Sequence, residues 1–229
     1  MKITHCIFDM DGLLLDTERI YTEVSNEILS RFGMTFGWDI KSKMMGLRQR
    51  EAVALLIKET GISLTIDEYV EESIVRQKEK FPFTKPMPGV MRLVKHLKEH
   101  NIPIIVATSS HRKAFEFKSM NNQELFKLFD GIVCGDDPEI KHGKPAPDIF
   151  LTARERLGNP SLEQCLVFED ALNGIQAAKN AGMPVIWIPD PNLAALYPGV
   201  NGATEVLLSL ELFDPAKYGL PPYNNNDNI

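Results

Sequence analysis

Asp9 and Asp11 stand two residues apart at the end of an apolar run, in the stretch ITHCIFDMDGLLLDTE from Ile3 to Glu18. Carboxylates so close to a strand entering a core are costly unless opposite charge holds them. The i, i+2 spacing lets both reach the same side of an extended chain, where one can attack phosphorus and the other can handle a proton. Three further places carry groups of this kind: the hydroxyls of Thr108, Ser109 and Ser110, the carboxylates of Asp136 and Asp137, and those of Glu169 and Asp170. Lys144, in HGKPAPDIF, adds an ammonium. Gathered together, Asp9, Asp11 and Asp170 would repel one another and shift upward in pKa unless a cation held them. Oxygen-only ligands with room for water suit Mg²⁺. A divalent ion, one lysine and a run of hydroxyls make a cradle for a dianionic phosphoryl group, whose transfer needs mainly positioning and charge neutralisation.

Gathering them is the task of the strands. Five short apolar runs predict strands: Ile3 to Phe8, Pro103 to Ala107, Gly131 to Cys134, Cys165 to Phe168 and Val185 to Ile188. None alternates clearly with polar residues, as expected where helices cover both sheet faces. Helical spacing separates most of them, as in Val90, Leu93, Val94 and Leu97, and in Ile175, Ala178 and Lys179 before Gly182. The expected fold class is α/β, a doubly wound parallel sheet with a Rossmann-like core. Such sheets bind ligands outside the carboxyl ends of their strands, the edge where the carboxylates and hydroxyls fall. From residue 16 to 85 the pattern is helical without a strand: Ile20, Val24, Ile28 and Phe32, then Val53, Leu56 and Ile57, then Tyr69, Val70 and Ile74. FPFTKPMPG closes it with three prolines and a glycine, a linker signal. The expected organisation is a catalytic core of residues 1–15 and 86–229, with a small α-helical cap, 16–85, inserted after the first strand.

The 229 residues carry a formal charge of −6, with 44% hydrophobic and 24% charged residues, which fits a soluble globular chain. The acidic balance argues against nonspecific binding to nucleic acid or anionic membranes. Cys6, Cys134 and Cys165 are expected to be buried, reduced thiols. No run approaches the roughly 18 apolar residues of a membrane span, and Asp9 and Asp11 interrupt the only apolar stretch near the N-terminus, unlike a signal peptide. A cytoplasmic monomer is expected, with the final PPYNNNDNI frayed.

DMDGL at 9–13, ATSS at 107–110, GKPAPD at 143–148 and FEDALNGI at 168–175 resemble, in order and spacing, the four motifs of the haloacid-dehalogenase-like hydrolases. That resemblance implies a phosphatase in which Asp9 is the nucleophile and forms a phosphoaspartate, while Asp11 gives and takes the proton. It implies that Thr108 and Lys144 hold phosphate oxygens. Asp170 would ligate Mg²⁺ together with Asp9 and the backbone carbonyl of Asp11, with Glu169 a second carboxylate at the metal. FDMDGLLLDTE, GDDPEIKHGKPAPDIF and YGLPPY further resemble the branch acting on pseudouridine 5′-phosphate and, in plants, on glycerol phosphate. The implied partner is a small phosphomonoester, with Ser109 near it and Arg48 and Arg50 as the cap's candidates for contacting it.

Plainer readings stand beside these. Ser110 could be only a helix N-cap, Asp136 and Asp137 could merely organise their loop, and Arg48 and Arg50 could be solvated charges. Two other functions share the fold: a phosphomutase, or a silent metabolite-binding protein. Asp9 and Asp11 are both present, which disfavours the second. Position 21 is Tyr where a sugar phosphomutase of this type carries His, which tilts the reading toward phosphatase.

Overall fold

A computed structural model describes residues 2–224. In chain order the elements are β1 (His5–Phe8), α1 (Glu18–Ser30), α2 (Trp38–Met44), α3 (Gln49–Thr60), α4 (Ile66–Lys80), α5 (Val90–Glu99), β2 (Ile104–Thr108), α6 (Arg112–Ser119), α7 (Gln123–Phe126), β3 (Gly131–Cys134), α8 (Asp148–Arg156), β4 (Cys165–Glu169), α9 (Leu172–Asn180), β5 (Val185–Trp187), α10 (Pro191–Leu196) and β6 (Glu205–Val206). The strands form one sheet in the order β3-β2-β1-β4-β5-β6, parallel throughout. The five predicted strands are present to within two residues at each end. The sixth, two residues at the sheet edge, has no apolar run to announce it.

β1 lies inside the sheet, paired Ile7 to Ile105 on one side and Ile7 to Val167 on the other. Alternate residues feed opposite cores, as the period of two requires. Cys6, Phe8, Val106 and Phe168 pack under α5 and the C-terminal Phe213 and Leu220. Ile7, Ile105, Val167 and Trp187 pack under α8 and α9. All three cysteines are buried and free. No helix among the described residues is long and apolar enough to cross a membrane.

Between β1 and α5 come the four helices α1 to α4, with their own apolar cluster, including Ile20, Val24, Ile28, Val53, Leu56 and Tyr69. A Thr65–Glu68 capping box starts α4, and Gly61 at φ +67° ends α3. The helical insertion after the first strand is therefore present. One expectation changes at the C-terminus: the tail does not fray at Pro221, whose carbonyl meets His96 Nε2 at 2.9 Å, and Arg92 lies 4.2 Å from the Tyr223 ring centroid. The remainder of that stretch, 225–229, lies outside the described residues.

Candidate active site

The carboxyl ends of β1, β2 and β4 meet beneath the insertion. Asp9 follows β1 directly and is buried, its Oδ1 accepting from Lys144 Nζ at 2.6 Å. Lys144, 1% exposed in its side chain, also donates to Glu169 Oε1 at 2.5 Å. Glu169 Oε2 accepts from the backbone N–H groups of Asp170 and Ala171. Its path is kept open by Gly174, where a Cβ would overlap the Glu169 carboxylate. Asp170 is anchored through its carbonyl, which accepts from Trp187 Nε1 at 2.8 Å. Its carboxylate presses on the loop after β1 so closely that Gly12, at φ +81°, has no room for a side chain.

Oxygens of Asp9, Glu169 and Asp170 all lie within 4.8 Å of one another. Burial, opposed by Lys144 and reinforced by Glu169 and Asp11, pushes the Asp9 carboxyl up to about 7. Burial and the neighbouring Asp9 and Glu169 carboxylates raise Asp170 well above its ordinary value. One ammonium therefore faces three carboxylates, an excess of negative charge in a buried, oxygen-lined place. That donor set fits a hard divalent cation. Asp9 and Asp170 have the most free acceptor capacity; each Glu169 oxygen already serves a donor. The second acidic cluster, Cys134 with Asp136 and Asp137, has other work. Asp137 pairs with Arg112 and Arg156 at 2.9 Å, and Asp136 accepts from the Arg112 backbone N–H at the start of α6. These two residues organise their loop.

Asp11 belongs to a different network. Its Oδ1 accepts from Thr17 Oγ1 at 2.7 Å and Lys118 Nζ at 2.5 Å, and its Oδ2 from Ser110 Oγ at 2.9 Å and Thr108 Oγ1 at 3.3 Å. Burial alone would push this carboxyl up, but Lys118 with the Thr17 and Ser110 hydroxyls brings it below its ordinary value. Thr17 sits at the α1 N-cap, yet its hydroxyl goes to Asp11 and not to the helix. Ser110 is likewise no N-cap: His111 holds that position on α6. Lys118 is the member that sequence reasoning missed; Tyr21 was noted only as standing where a mutase carries His, not as a partner of Lys118. The spacing puts Lys118 on the helix face of Ala114 and Phe115, but a lysine there reads as a solvated charge.

A cavity of about 430 Å³ opens above Asp9, Asp11 and Asp170. The core contributes Ser109, Ser110 and His111 to its wall, and the insertion contributes Tyr21, Ser25, Tyr69, Ser73 and Gln77. Ser109 is thus at the site, its hydroxyl donating to Gly46 O at 3.1 Å. Arg48 and Arg50 are not. Arg48 reaches away from the cavity to the carbonyls of Ile140 at 3.1 Å and Lys141 at 3.4 Å, tying the turn before α3 to the core. Asn173 Nδ2 makes a parallel tie to Met45 O at 2.8 Å. Arg50 pairs with Asp67 at 2.5 Å, both more than half exposed. The sequence placed both arginines near the site, but α3 turns one sideways and the other outward.

A profile of haloacid dehalogenase-like hydrolases matches residues 6–188, spanning β1 to just past β5. The chain belongs to the haloacid dehalogenase-like hydrolase family. This hydrolase is 48% identical to (DL)-glycerol-3-phosphatase 1, mitochondrial, of Arabidopsis thaliana, over 99% of its own length and 77% of the relative's. It is 42% identical to a protein of Drosophila melanogaster named "Probable pseudouridine-5′-phosphatase", over 98% and 97%. The crystal structure of CbbY from Rhodobacter sphaeroides in complex with phosphate superposes with a TM-score of 0.77, covering 92% and 96% of the two chains at 24% identity, which supports the fold. The hydrolase is a phosphatase, and its acidic cluster is compatible with the divalent metal that the family uses.

Proposed function

We propose that this phosphatase is a Mg²⁺-dependent phosphomonoesterase that works through a phosphoaspartate on Asp9 and prefers pseudouridine 5′-phosphate. The observation that carries the chemistry is Asp9 at the cavity floor, beside Lys144 and Asp170, with Asp11 held separately two residues on. Asp9 and Asp170, with the Asp11 backbone carbonyl and Glu169 behind, would hold the metal. Bound there, Mg²⁺ neutralises part of the phosphoryl charge. Lys144 would neutralise more of it, and the hydroxyls of Thr108 and Ser109, which donate here to Asp11 Oδ2 and Gly46 O, are the candidates to hold phosphate oxygens. In the first step an Asp9 oxygen attacks phosphorus. The bond to the alcohol oxygen breaks, its electron pair stays with that oxygen, and Asp11, having taken up a proton from solvent as one of its four donors turns away, passes that proton to it. In the second step water attacks phosphorus, Asp11 takes its proton, and the Asp9–phosphorus bond breaks to release inorganic phosphate and the carboxylate.

The choice of alcohol belongs mainly to the insertion, residues 16–85, which supplies most of the cavity wall, with His111, Lys113 and Phe117 of the core beside it. Tyr69, Ser73 and Gln77 recur every four residues on one face of α4 and line the cavity. Tyr69 donates to Ser25 at 3.1 Å. Gln77 is 8% exposed and lines the cavity. A nucleobase edge would supply donors and acceptors for its amide to pair with. Glycerol phosphate is the second reading, favoured by the 48% identity to a glycerol-3-phosphatase. The test is kcat/KM for pseudouridine 5′-phosphate and glycerol 3-phosphate, each with Mg²⁺, in the native protein and in Gln77→Ala. A polar pocket can discriminate by roughly 10⁴-fold, so Gln77→Ala should erode the preference. Preference for glycerol phosphate, with a ratio that Gln77→Ala leaves alone, would reject the nucleotide reading.

A further inference from the structure

Lys118 is the buried ammonium for which the four motifs have no role. It sits on α6 with a side chain 0% exposed. Its Nζ lies 2.5 Å from Asp11 Oδ1, 2.6 Å from the Tyr21 hydroxyl and 2.7 Å from Ser110 Oγ. The rings of Tyr21 and Phe81, both from the insertion, flank it at 4.9 and 5.0 Å. An ammonium withdrawn from water needs such partners to be tolerated, so the place is built for a cation. Lys118 does not line the cavity. It stands behind Asp11 and touches the substrate only through it.

The hydrogen bonds to Asp11 define what Lys118 can do. Each carboxylate oxygen already accepts from two donors, which fills the acceptor capacity of an ionised carboxylate. Lys118 supplies one of these donors and also bonds Ser110, which supplies another. Without Lys118, two of the four attachments loosen together, and the carboxyl is free to turn. A displacement of about 1 Å at a reacting group can cost about 100-fold in rate. We propose that Lys118 is a positioning residue that holds the Asp11 carboxyl in the orientation from which, once protonated in place of one of its hydroxyl donors, it gives its proton to the leaving oxygen. The proposal rests on the reading of Asp11 as acid and base given above.

The test exploits the leaving group. The alkoxide of glycerol 3-phosphate must be protonated as it departs, whereas 4-nitrophenolate leaves without a proton. For Lys118→Met, kcat/KM on glycerol 3-phosphate should fall about 100-fold. KM should change by less than about threefold, and the loss on 4-nitrophenyl phosphate should be at least about tenfold smaller. Asp11→Asn should show the same discrimination, only deeper. If Asp11→Asn loses both substrates equally, the acid-base reading of Asp11 is what fails, and this inference with it. If Asp11→Asn discriminates but Lys118→Met loses both substrates equally, or loses neither, Lys118 does not position Asp11 although the phosphatase reading stands. Lys118→Arg guards against a folding defect. It keeps the buried charge but cannot place a compact ammonium among the same three oxygens, so it should show the same discrimination at smaller size. Native values on both substrates for Lys118→Arg would overturn the proposal.

Discussion

Two lysines lie fully buried on either side of the Asp9–Asp11 pair, and their surroundings differ. Lys144 faces the carboxylates of Asp9 and Glu169, with Asp170 beside them. Lys118 faces one carboxylate, Asp11, and two hydroxyls, and is wrapped by two aromatic rings. The first neighbourhood has more negative than positive charge; the second is balanced. Surplus charge in a buried place calls for a further cation, and a cation is what a phosphoryl group needs beside it. Balanced charge calls for none and leaves a carboxyl held by hydrogen bonds, which suits proton handling. The two aspartates lie two residues apart in sequence yet live in different electrostatic environments, which fits the separate roles proposed for them.

The largest effect is expected from Asp9→Asn, which should reduce phosphate release on the order of 10⁴-fold or more. Its thermal stability should be retained or increased, because Lys144 keeps Glu169 and Asp170 loses a like-charged neighbour. A variant that kept near-native turnover would remove Asp9 as nucleophile. Lys144→Ala comes next. It leaves Asp9 and Glu169 without their ammonium, so kcat should fall by about 10²–10³ even with saturating Mg²⁺, and urea unfolding should register a loss of about 3–5 kcal/mol. Full rescue of kcat by Mg²⁺ would mean that the metal alone neutralises the phosphoryl group.

Asp11→Asn sharpens the contrast through stability. It takes away the single carboxylate facing Lys118 and should cost about 3–5 kcal/mol, whereas Asp9→Asn should cost little. Equal melting temperatures for the two variants would erase the distinction between the neighbourhoods. Mg²⁺ at about 100 times its Kd should stabilise the native protein by about 2.7 kcal/mol, and Asp170→Asn should abolish most of that gain. Chelation should stop turnover and added Mg²⁺ restore it. Metal-independent melting in the native protein would argue against a cation at Asp9 and Asp170. The smallest effect belongs to Arg50→Ala, outside both neighbourhoods: its ion pair with Asp67 is exposed, so stability should move by less than about 0.5 kcal/mol and the substrate ratio should not move.

Much of this site was legible because its groups follow strands. Asp9, Thr108, Glu169 and Asp170 lie at or just beyond the ends of β1, β2 and β4, and a parallel sheet brings those ends to one edge. Lys144 was legible only through the motif around it, since a lysine before proline reads as a loop charge. Lys118 was not legible, and Tyr21 was legible only as the residue standing where a mutase carries His, not as a partner of Lys118. Each lies on a helix whose rotation is set by tertiary packing, and a lysine on a mixed helix face is usually solvated. Arg48 and Arg50 erred for the same reason: their spacing placed them on a cap turn but could not say which way the turn faced.

By itself the sequence determined the α/β class, the helical insertion after β1, and the set of carboxylates, hydroxyls and lysine that meet at the strand ends. It could do so because a buried strand needs a run of apolar residues, and the first residue past such a run must emerge at the sheet edge. Only the tertiary structure decided that Asp9 and Asp11 part into separate networks, that a second lysine stands behind Asp11, and that α4 rather than Arg48 and Arg50 lines the far wall of the cavity. Those outcomes depend on how the insertion docks against the core. The docking is set by ties such as Asn173 to Met45, Ser109 to Gly46 and Arg48 to Ile140. Each joins residues far apart in the chain, and no local periodicity encodes such a contact.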